Sequence, residues 1–226
     1  MSIFRTETLE CQGCGSPVDF ELVHSVNVDR APELRDAILA GTFQLQECPS
    51  CGAPMRVEPE FTYMDMQRGQ YIGVWPASRR GDWQACAART RAVFDASLGK
   101  DAPGEAREVG AKFEVRVVFG WAALVEKLLA REAGIDDRTL EVAKLAVMRT
   151  QSESPLPGKL ELRLIAAENG DPIIAWLGGA AADQPALKMP RKLISEIDAD
   201  PAHWQAVRDS VAEGDVVDFQ RELLAG

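Results

Sequence analysis

The sequence predicts an α+β protein in which antiparallel strands with an inserted helix come first, followed by helices and then by a hairpin with further helices. Three observations indicate this class. Apolar and polar residues mostly alternate over the first 80 residues, and apolar residues recur at three- and four-residue steps after residue 82. The dipeptide Asn169-Gly170 separates two apolar runs, which is the strongest short-range signal for a hairpin.

The composition is that of an ordinary globular protein. The 226 residues are 46% hydrophobic and 27% charged, which excludes collagen-like, low-complexity and wholly disordered chains. No apolar run approaches the roughly 18 residues of a membrane span, and the first ten residues carry charges where a signal peptide has an apolar core. We therefore expect a cytoplasmic protein.

In the first part of the chain, apolar and polar residues alternate as in strands on either side of one predicted helix. The helix is expected to begin at Pro32 and to end before Gly41, since proline suits a first turn and glycine the position after the last. Residues 55–66 and 70–76 are predicted to be two strands joined around 67–70. Asp82 is placed to cap the next helix. The early strand is predicted from its apolar positions Val18, Phe20, Leu22, Val26 and Val28.

The second part is predicted to be a strand over 112–120, a helix over 120–134 and another over 135–150, capped by Asp136 or Asp137. A hairpin follows over 159–177, and the tail is expected to be helical, with Val216, Phe219 and Leu223 in a last amphipathic turn. Two segments rich in glycine, proline or charge, 98–112 and 151–158, are candidate linkers.

Four of the five cysteines fall in two pairs, Cys11-Gln-Gly-Cys14 and Cys48-Pro-Ser-Cys51, each followed by glycine. Two residues between cysteines let one tight turn direct both sulfurs at one ion, and the glycine relieves the backbone of that turn. The pattern predicts a zinc-ribbon-like site with Cys11, Cys14, Cys48 and Cys51 as ligands of one Zn²⁺. Four thiolates leave no position open for water, so the predicted role of the metal is structural.

Disulfides and redox chemistry are the alternatives for these cysteines. A cytoplasmic chain stays reduced, and a redox dithiol normally needs one pair in a thioredoxin-like context, so zinc is favoured. The 33 residues between Cys14 and Cys48 exceed the spacing of the shorter ribbons, and the predicted strand and helix account for that length.

Around these cysteines the chain resembles the CpXC family, bacterial proteins named for the Cys-Pro-x-Cys motif that is Cys48-Pro49-Ser50-Cys51 here. Segments 118–129 and 134–144 also resemble the family, including Glu141 and Lys144. The resemblance implies a CpXC-like domain over 1–150, with the ribbon at about 9–66, followed by a small C-terminal α+β region over 151–226. It implies no biochemical activity.

The remaining candidate residues are expected to be ordinary. His24 lies in the register of the apolar face of a strand, His203 lies in the first turn of a helix, and neither belongs to an HExxH pattern. Cys86 shares a helical face with apolar residues and is expected to be buried rather than reactive. Asp136 and Asp137 are expected to start a helix rather than to act as an acid and base pair.

Three functions compete on these observations. The first is a protein-interaction or adaptor module stabilised by zinc, with a protein partner. The second is a nucleic-acid-binding or transcription-related regulator, because residues 66–100 have net charge +4 in a chain of net charge −10. Those cations are more simply explained as neutralising acidic segments of the same chain or as forming a solvated face. An enzyme using carboxylates or Cys86 is the third, and the sequence contains no nucleotide-binding or acyl-transfer motif.

Overall fold

The computed structural model describes residues 2–150, 160–178 and 186–221. The chain forms two compact units, each built from two segments. Unit 1 comprises Met1–Ala77 and Ala88–Trp121, and unit 2 comprises Ser78–Ala87 and Ala122–Gly226. The predicted α+β class is confirmed, and both cysteine pairs lie in unit 1.

Unit 1 is built on a five-stranded sheet with strand order β1-β2-β5-β6-β7. Strands β1 and β2 form an antiparallel hairpin, and β5 and β6 form another. The pairings β2–β5 and β6–β7 are parallel, so the sheet is mixed. The strands span Ile3–Glu10 (β1), Pro17–Asn27 (β2), Phe61–Asp65 (β5), Gln70–Trp75 (β6) and Glu114–Phe119 (β7).

Between β2 and β5 the chain forms helix α1 (Pro32–Leu39) and a short hairpin of β3 (Leu45–Glu47) and β4 (Pro54–Arg56). The helix begins at the predicted proline and ends before Gly41, which has a φ of +73°. Glycine adopts this left-handed conformation at little cost, so the predicted helix end is confirmed.

Helix α2 (Trp83–Ser97) follows a 3₁₀ turn (Ala77–Asp82) and contacts the sheet closely at Gly73 of β6. A Cβ atom built on Gly73 would lie 2.3 Å from the Thr90 hydroxyl oxygen, which itself accepts a hydrogen bond from the Trp75 indole at 3.1 Å. Glycine is therefore required where α2 crosses β6. Helix α3 (Gly104–Gly110) lies within the candidate linker 98–112, and all of that segment belongs to unit 1, so it does not link the two units.

Unit 2 packs helices against a β-hairpin, with a core that includes Leu140, Leu162, Ile174 and Ile194. The hairpin turns at Asn169 and Gly170, both with positive φ, as the sequence predicts. The elements are α4 (Trp121–Glu132), α5 (Asp137–Thr150), β8 (Glu161–Glu168), β9 (Asp171–Leu177), β10 (Leu187–Lys188), α6 (Arg191–Ala199), α7 (Gln205–Ser210), β11 (Ala212–Glu213) and β12 (Val216–Val217).

The predicted helical tail is confirmed as far as α7 and differs from the prediction beyond it. Val216 lies in a two-residue strand paired with β11, not in an amphipathic turn, because Gly214 with a φ of +56° turns the chain back on itself. Leu223 and the candidate linker 151–158 lie outside the described residues. The structure assigns α4 and α5 to unit 2. The predicted boundary at residue 150, between a CpXC-like domain and a C-terminal region, concerns which segments fold independently and stays a prediction.

No helix among the described residues has the length and apolarity needed to cross a membrane.

Candidate metal centre

Each cysteine pair lies at the tip of an antiparallel hairpin in unit 1. The first pair lies in the turn between β1 and β2, where Glu10 faces Pro17. The second lies in the turn between β3 and β4, where Glu47 faces Pro54. The inserted strand and helix return the chain so that the two tips meet, as the sequence analysis predicts.

The two turns have the same local structure. The N–H of Gly15 donates to the Cys11 carbonyl at 2.8 Å, and the N–H of Gly52 donates to the Cys48 carbonyl at the same distance. Both glycines have left-handed backbones, with φ of +73° and +71°. In the first turn the Gly13 N–H also donates to the Cys11 sulfur at 3.3 Å. Each turn therefore orients its two side chains toward the other turn.

The four sulfur atoms of Cys11, Cys14, Cys48 and Cys51 lie within 4.8 Å of one another. The Cys11 and Cys51 sulfurs are 3.7 Å apart, and the Cys14 and Cys48 sulfurs are 3.8 Å apart. A tetrahedral ion with metal–sulfur bonds of about 2.3 Å separates its ligands by about 3.8 Å. These spacings are too long for disulfide bonds of about 2.05 Å, and all four cysteines are free. The four thiols could therefore hold one metal ion.

The surroundings of the sulfurs are half apolar. Cys11 and Cys48 are buried, whereas Cys14 and Cys51 are exposed. The apolar cluster around the buried pair contains Val18, with Ala53 and Met55 packed against it. A groove of about 470 Å³, lined partly by Cys11, adjoins the first turn. The β3–β4 hairpin is also attached to β2 by the Gln46 side chain, which donates to the Asp19 carbonyl at 3.2 Å, so the sulfurs add to a small set of contacts.

The thiols do not ionise alike. Hydrogen bonds from the Ser16 side chain and backbone lower the pKa of Cys14 to about 6. A hydrogen bond from the Ala53 backbone lowers the pKa of Cys51, but the neighbouring Cys14 sulfur and burial outweigh it and raise that pKa to about 12. Burial raises the pKa of Cys48, but hydrogen bonds from the Ser50 and Cys51 backbone outweigh burial and lower it. Each turn therefore has one thiol whose pKa is lowered.

The other candidate residues have structural surroundings of their own. His24 is half-buried in β2, and His203 is exposed beside the Trp204 ring. Cys86 is buried, and its thiol lies 3.9 Å from the Arg79 carbonyl oxygen. Asp136 caps α5 by accepting the Thr139 N–H at 2.9 Å, as predicted. None of these four residues belongs to the group of cysteines whose sulfur atoms lie within 4.8 Å of one another.

The cations of residues 66–100 are engaged within the protein. Four arginines and one lysine pair with carboxylates of the same unit, and the sixth cation, Arg91, lies over the Phe94 ring at 5.5 Å. The side chains of Arg79, Arg89 and Lys100 remain 45%, 64% and 75% exposed, as expected of a solvated face, and Arg80 is the one paired cation among them that is buried. The pairs are Arg68–Asp65, Arg79–Asp82, Arg80–Glu161, Arg89–Glu60 and Lys100–Asp95.

Sequence reasoning missed a cluster of buried charges in unit 2. Lys144 is fully buried between Glu126, at 3.0 Å, and Glu141, at 2.7 Å. Arg163, also buried, donates to Glu126 at 3.0 Å and to Asp218 at 2.7 Å. Glu126, Glu141 and Lys144 fall in the segments that carry the family resemblance, which is the one signal that could have drawn attention to them.

The two buried glutamates differ in how well their charge is compensated. Glu126 receives Lys144, Arg163 and the Leu164 N–H. Burial raises its pKa, but the two cations outweigh burial and lower it. Of the groups named here, only the Lys144 ammonium and the Phe219 N–H interact with the Glu141 carboxylate. Burial raises the pKa of Glu141, and although Lys144 lowers it, the net result is about 7.

A comparison with known protein families shows which family the chain is related to. The model of the family described as CpXC protein matches residues 9–144, which is more than half of the chain and includes all four clustered cysteines. This chain belongs to the CpXC family. The match also includes α4 and most of α5, so the CpXC segment reaches into unit 2. No curated protein and no solved structure matches the chain significantly.

Proposed function

We propose that Cys11, Cys14, Cys48 and Cys51 bind one structural Zn²⁺ per chain and that this CpXC protein acts as a protein-interaction or adaptor module. The observation that carries the metal assignment is the sulfur geometry. Spacings of 3.7 and 3.8 Å fit the edges of a tetrahedron around zinc, and thiolates are ligands that zinc prefers. Membership of the CpXC family supports the assignment, since the matched segment contains both cysteine pairs.

A structural role follows from the ligand set. Four thiolates fill a tetrahedral shell and leave no position where water or a substrate could bind. The ion would join the β1–β2 tip to the β3–β4 tip and compensate for the small apolar cluster between them. Structural zinc contributes on the order of 10 kcal/mol of binding free energy to the folded state.

Metal analysis of the purified protein tests this site. We expect one zinc per chain by elemental analysis and by native mass spectrometry, and no iron, which four thiolates can also bind. Cys48→Ser should abolish stoichiometric zinc and increase amide hydrogen exchange in β3 and β4. Cys86→Ser is the matched control, because Cys86 is equally buried but lies outside the cluster, and it should retain the metal. Native, compact protein without metal would refute the site.

The adaptor role is supported by the chemistry of the metal site and by the charge of the chain, not by an identified partner protein. A filled metal shell does not activate a substrate, and a net charge of −10 favours recognition of a basic protein surface. The test has two steps: cross-linking and mass spectrometry identify a candidate partner, and calorimetry then measures the affinity between the two purified proteins. Zinc-loaded wild type and Cys86→Ser should bind, and Cys48→Ser should not. Binding that survives the loss of zinc would contradict this role.

Nucleic-acid binding by residues 66–100 is the second candidate, and the net charge of −10 weighs against it because an excess of carboxylates repels phosphates. If this candidate is right, the protein should retard DNA or RNA in a gel at low salt, and the affinity should fall steeply as the ionic strength rises. Arg79→Ala and Arg80→Ala should reduce the slope of that salt dependence. The absence of retardation at low salt would eliminate it.

We also propose that the protein works in a reducing compartment, the cytoplasm. The five cysteines are free, and a cluster of four close thiols would oxidise in the absence of reductant or metal. Fractionation of native cells tests this location.

A further inference from the structure

Strand β1 is an exposed edge of the unit 1 sheet. Within the described part of the chain it pairs with β2 alone, so its other edge presents backbone N–H and carbonyl groups without a strand partner. All its residues are exposed except Leu9, which is half-buried. Ile3 and Phe4 are 44% and 37% exposed, so two large apolar side chains lie next to each other at the surface of this strand. An open edge of this length is a template for another strand.

The sequence of β1 is complementary to itself in one register. A two-fold axis through an edge joins two identical strands antiparallel and keeps each residue on its own face, so odd positions meet odd positions and even positions meet even ones. With the axis at Thr6, Arg5 of one copy lies opposite Glu7 of the second, and Glu7 opposite Arg5. Each charge then has an opposite charge across the junction and along its own strand.

The other opposed positions in this register are also compatible. Ile3 meets Leu9, Phe4 meets Thr8, and Thr6 meets Thr6. Apolar pairs, aromatic pairs with a β-branched residue and threonine pairs are each favourable between antiparallel strands. The exposed Ile3 and Phe4 would therefore gain neighbours in the second copy.

The neighbouring registers are unfavourable. Moving the axis by one residue toward the C-terminus places Glu7 opposite Glu7, and moving it one residue toward the N-terminus places Arg5 opposite Arg5. Like charges directly opposite each other destabilise a strand pair. The β2 residues directly opposite these charges are apolar, since Arg5 faces Leu22 and Glu7 faces Phe20 in that pairing.

We infer that β1 is a self-association edge, where a second copy of this chain adds its own β1 antiparallel about Thr6. The two five-stranded sheets become one continuous sheet of ten strands. The β1–β1 contact does not involve the four sulfurs, so this inference can be tested independently of the zinc site. A contact confined to one eight-residue strand of each copy is small compared with the interfaces of stable complexes, so we expect the dimer to be reversible.

Sedimentation of the metal-loaded full chain over about 1 µM to 1 mM tests the inference. Wild type should pass from monomer to dimer with rising concentration. Arg5→Glu and Glu7→Arg should each weaken the dimer about tenfold or more, because both symmetric charge pairs become repulsive. The combined exchange of both charges should restore the wild-type dissociation constant to within about threefold. Arg107→Glu, an equal charge change at another exposed position of unit 1, should have little effect.

The register is tested by cross-linking. Thr6→Cys places the two new sulfurs on the axis, where opposed Cα atoms are about 4.5–5.5 Å apart and a disulfide can form. Thr8→Cys places them four residues out of alignment, about 13 Å apart, and should not cross-link above the wild-type background. Four results would overturn the inference: a monomer at every concentration, a dimer insensitive to both charge reversals, failure of the double exchange to restore it, or efficient cross-linking at Thr8.

Discussion

Lys144 and Glu126 form an ion pair that solvent does not reach. The lysine Nζ lies 3.1 and 3.0 Å from the two carboxylate oxygens of the glutamate, and neither side chain has any exposed surface. Charges are costly to bury, so each is tolerated only because the other is present. This mutual dependence makes the pair a sensitive point in unit 2.

Replacing Lys144 by methionine is expected to destabilise unit 2 by about 3–5 kcal/mol, because Glu126 and Glu141 lose the cation between them. The measurement is amide hydrogen exchange in α5 and β8 together with urea unfolding. Lys192→Met is the control, since its pair with Glu196 at 3.4 Å is exposed and contributes less than about 1 kcal/mol. Equal effects of the two variants would contradict the importance of burial.

The stability of unit 2 is expected to depend on pH through Glu141. Its pKa is raised from 4.5 to about 7 in the folded protein, so the folded state binds this proton more tightly than the unfolded state. Its contribution is therefore full below about pH 4.5 and is lost as the pH rises through 7, a change of up to about 3 kcal/mol. The pKa of Asp218 and Glu126 is lowered instead, so their contributions are lost at acidic pH.

Glu141→Gln isolates this effect. Glutamine can still accept the Phe219 N–H but does not titrate. The difference in free energy of unfolding between wild type and variant should therefore change between pH 5 and 8, with the wild type relatively less stable at pH 8. A difference that is constant over this range would refute the raised pKa.

Gly52→Ala is expected to weaken metal binding about tenfold. Gly52 has a φ of +71° and open space where a Cβ would lie, so the cost is the left-handed backbone, about 1–2 kcal/mol. Zinc competition with a chromophoric chelator measures the affinity. Gly214→Ala is matched, with a φ of +56° and the same open space, but it lies in unit 2 and should leave zinc affinity unchanged.

Gly73→Ala is expected to destabilise unit 1 by several kcal/mol, because the new methyl group would lie 2.3 Å from the Thr90 hydroxyl oxygen. Thermal unfolding measures the loss. Thr90→Ala alone should cost less, since it removes the acceptor of the Trp75 indole without a steric clash. If the double variant is no more stable than Gly73→Ala, the clash is not the cause.

Local signals were predictable from the sequence, and distant partnerships were not. The cysteine pairs, the start of α1 at Pro32 and the turn at Asn169 each depend on residues close together in the chain, and the structure has them where the sequence predicts. The 98–112 segment resembles a linker in its glycine and alanine content, yet α3 forms there. The buried ion cluster could not be predicted, since Glu126 and Arg163 are 37 residues apart and look like surface charges.

The position of Asp218, Phe219 and Gln220 has a consequence for biosynthesis. Arg163 binds Asp218, Glu141 binds the Phe219 N–H, and the Gln220 side chain accepts the Leu162 N–H. Helices α4 and α5 leave the ribosome long before these partners are translated. Unit 2 therefore cannot complete its cluster of buried charges until residue 220 has emerged from the ribosome. By contrast, every strand of the unit 1 sheet is available once Phe119 has been made.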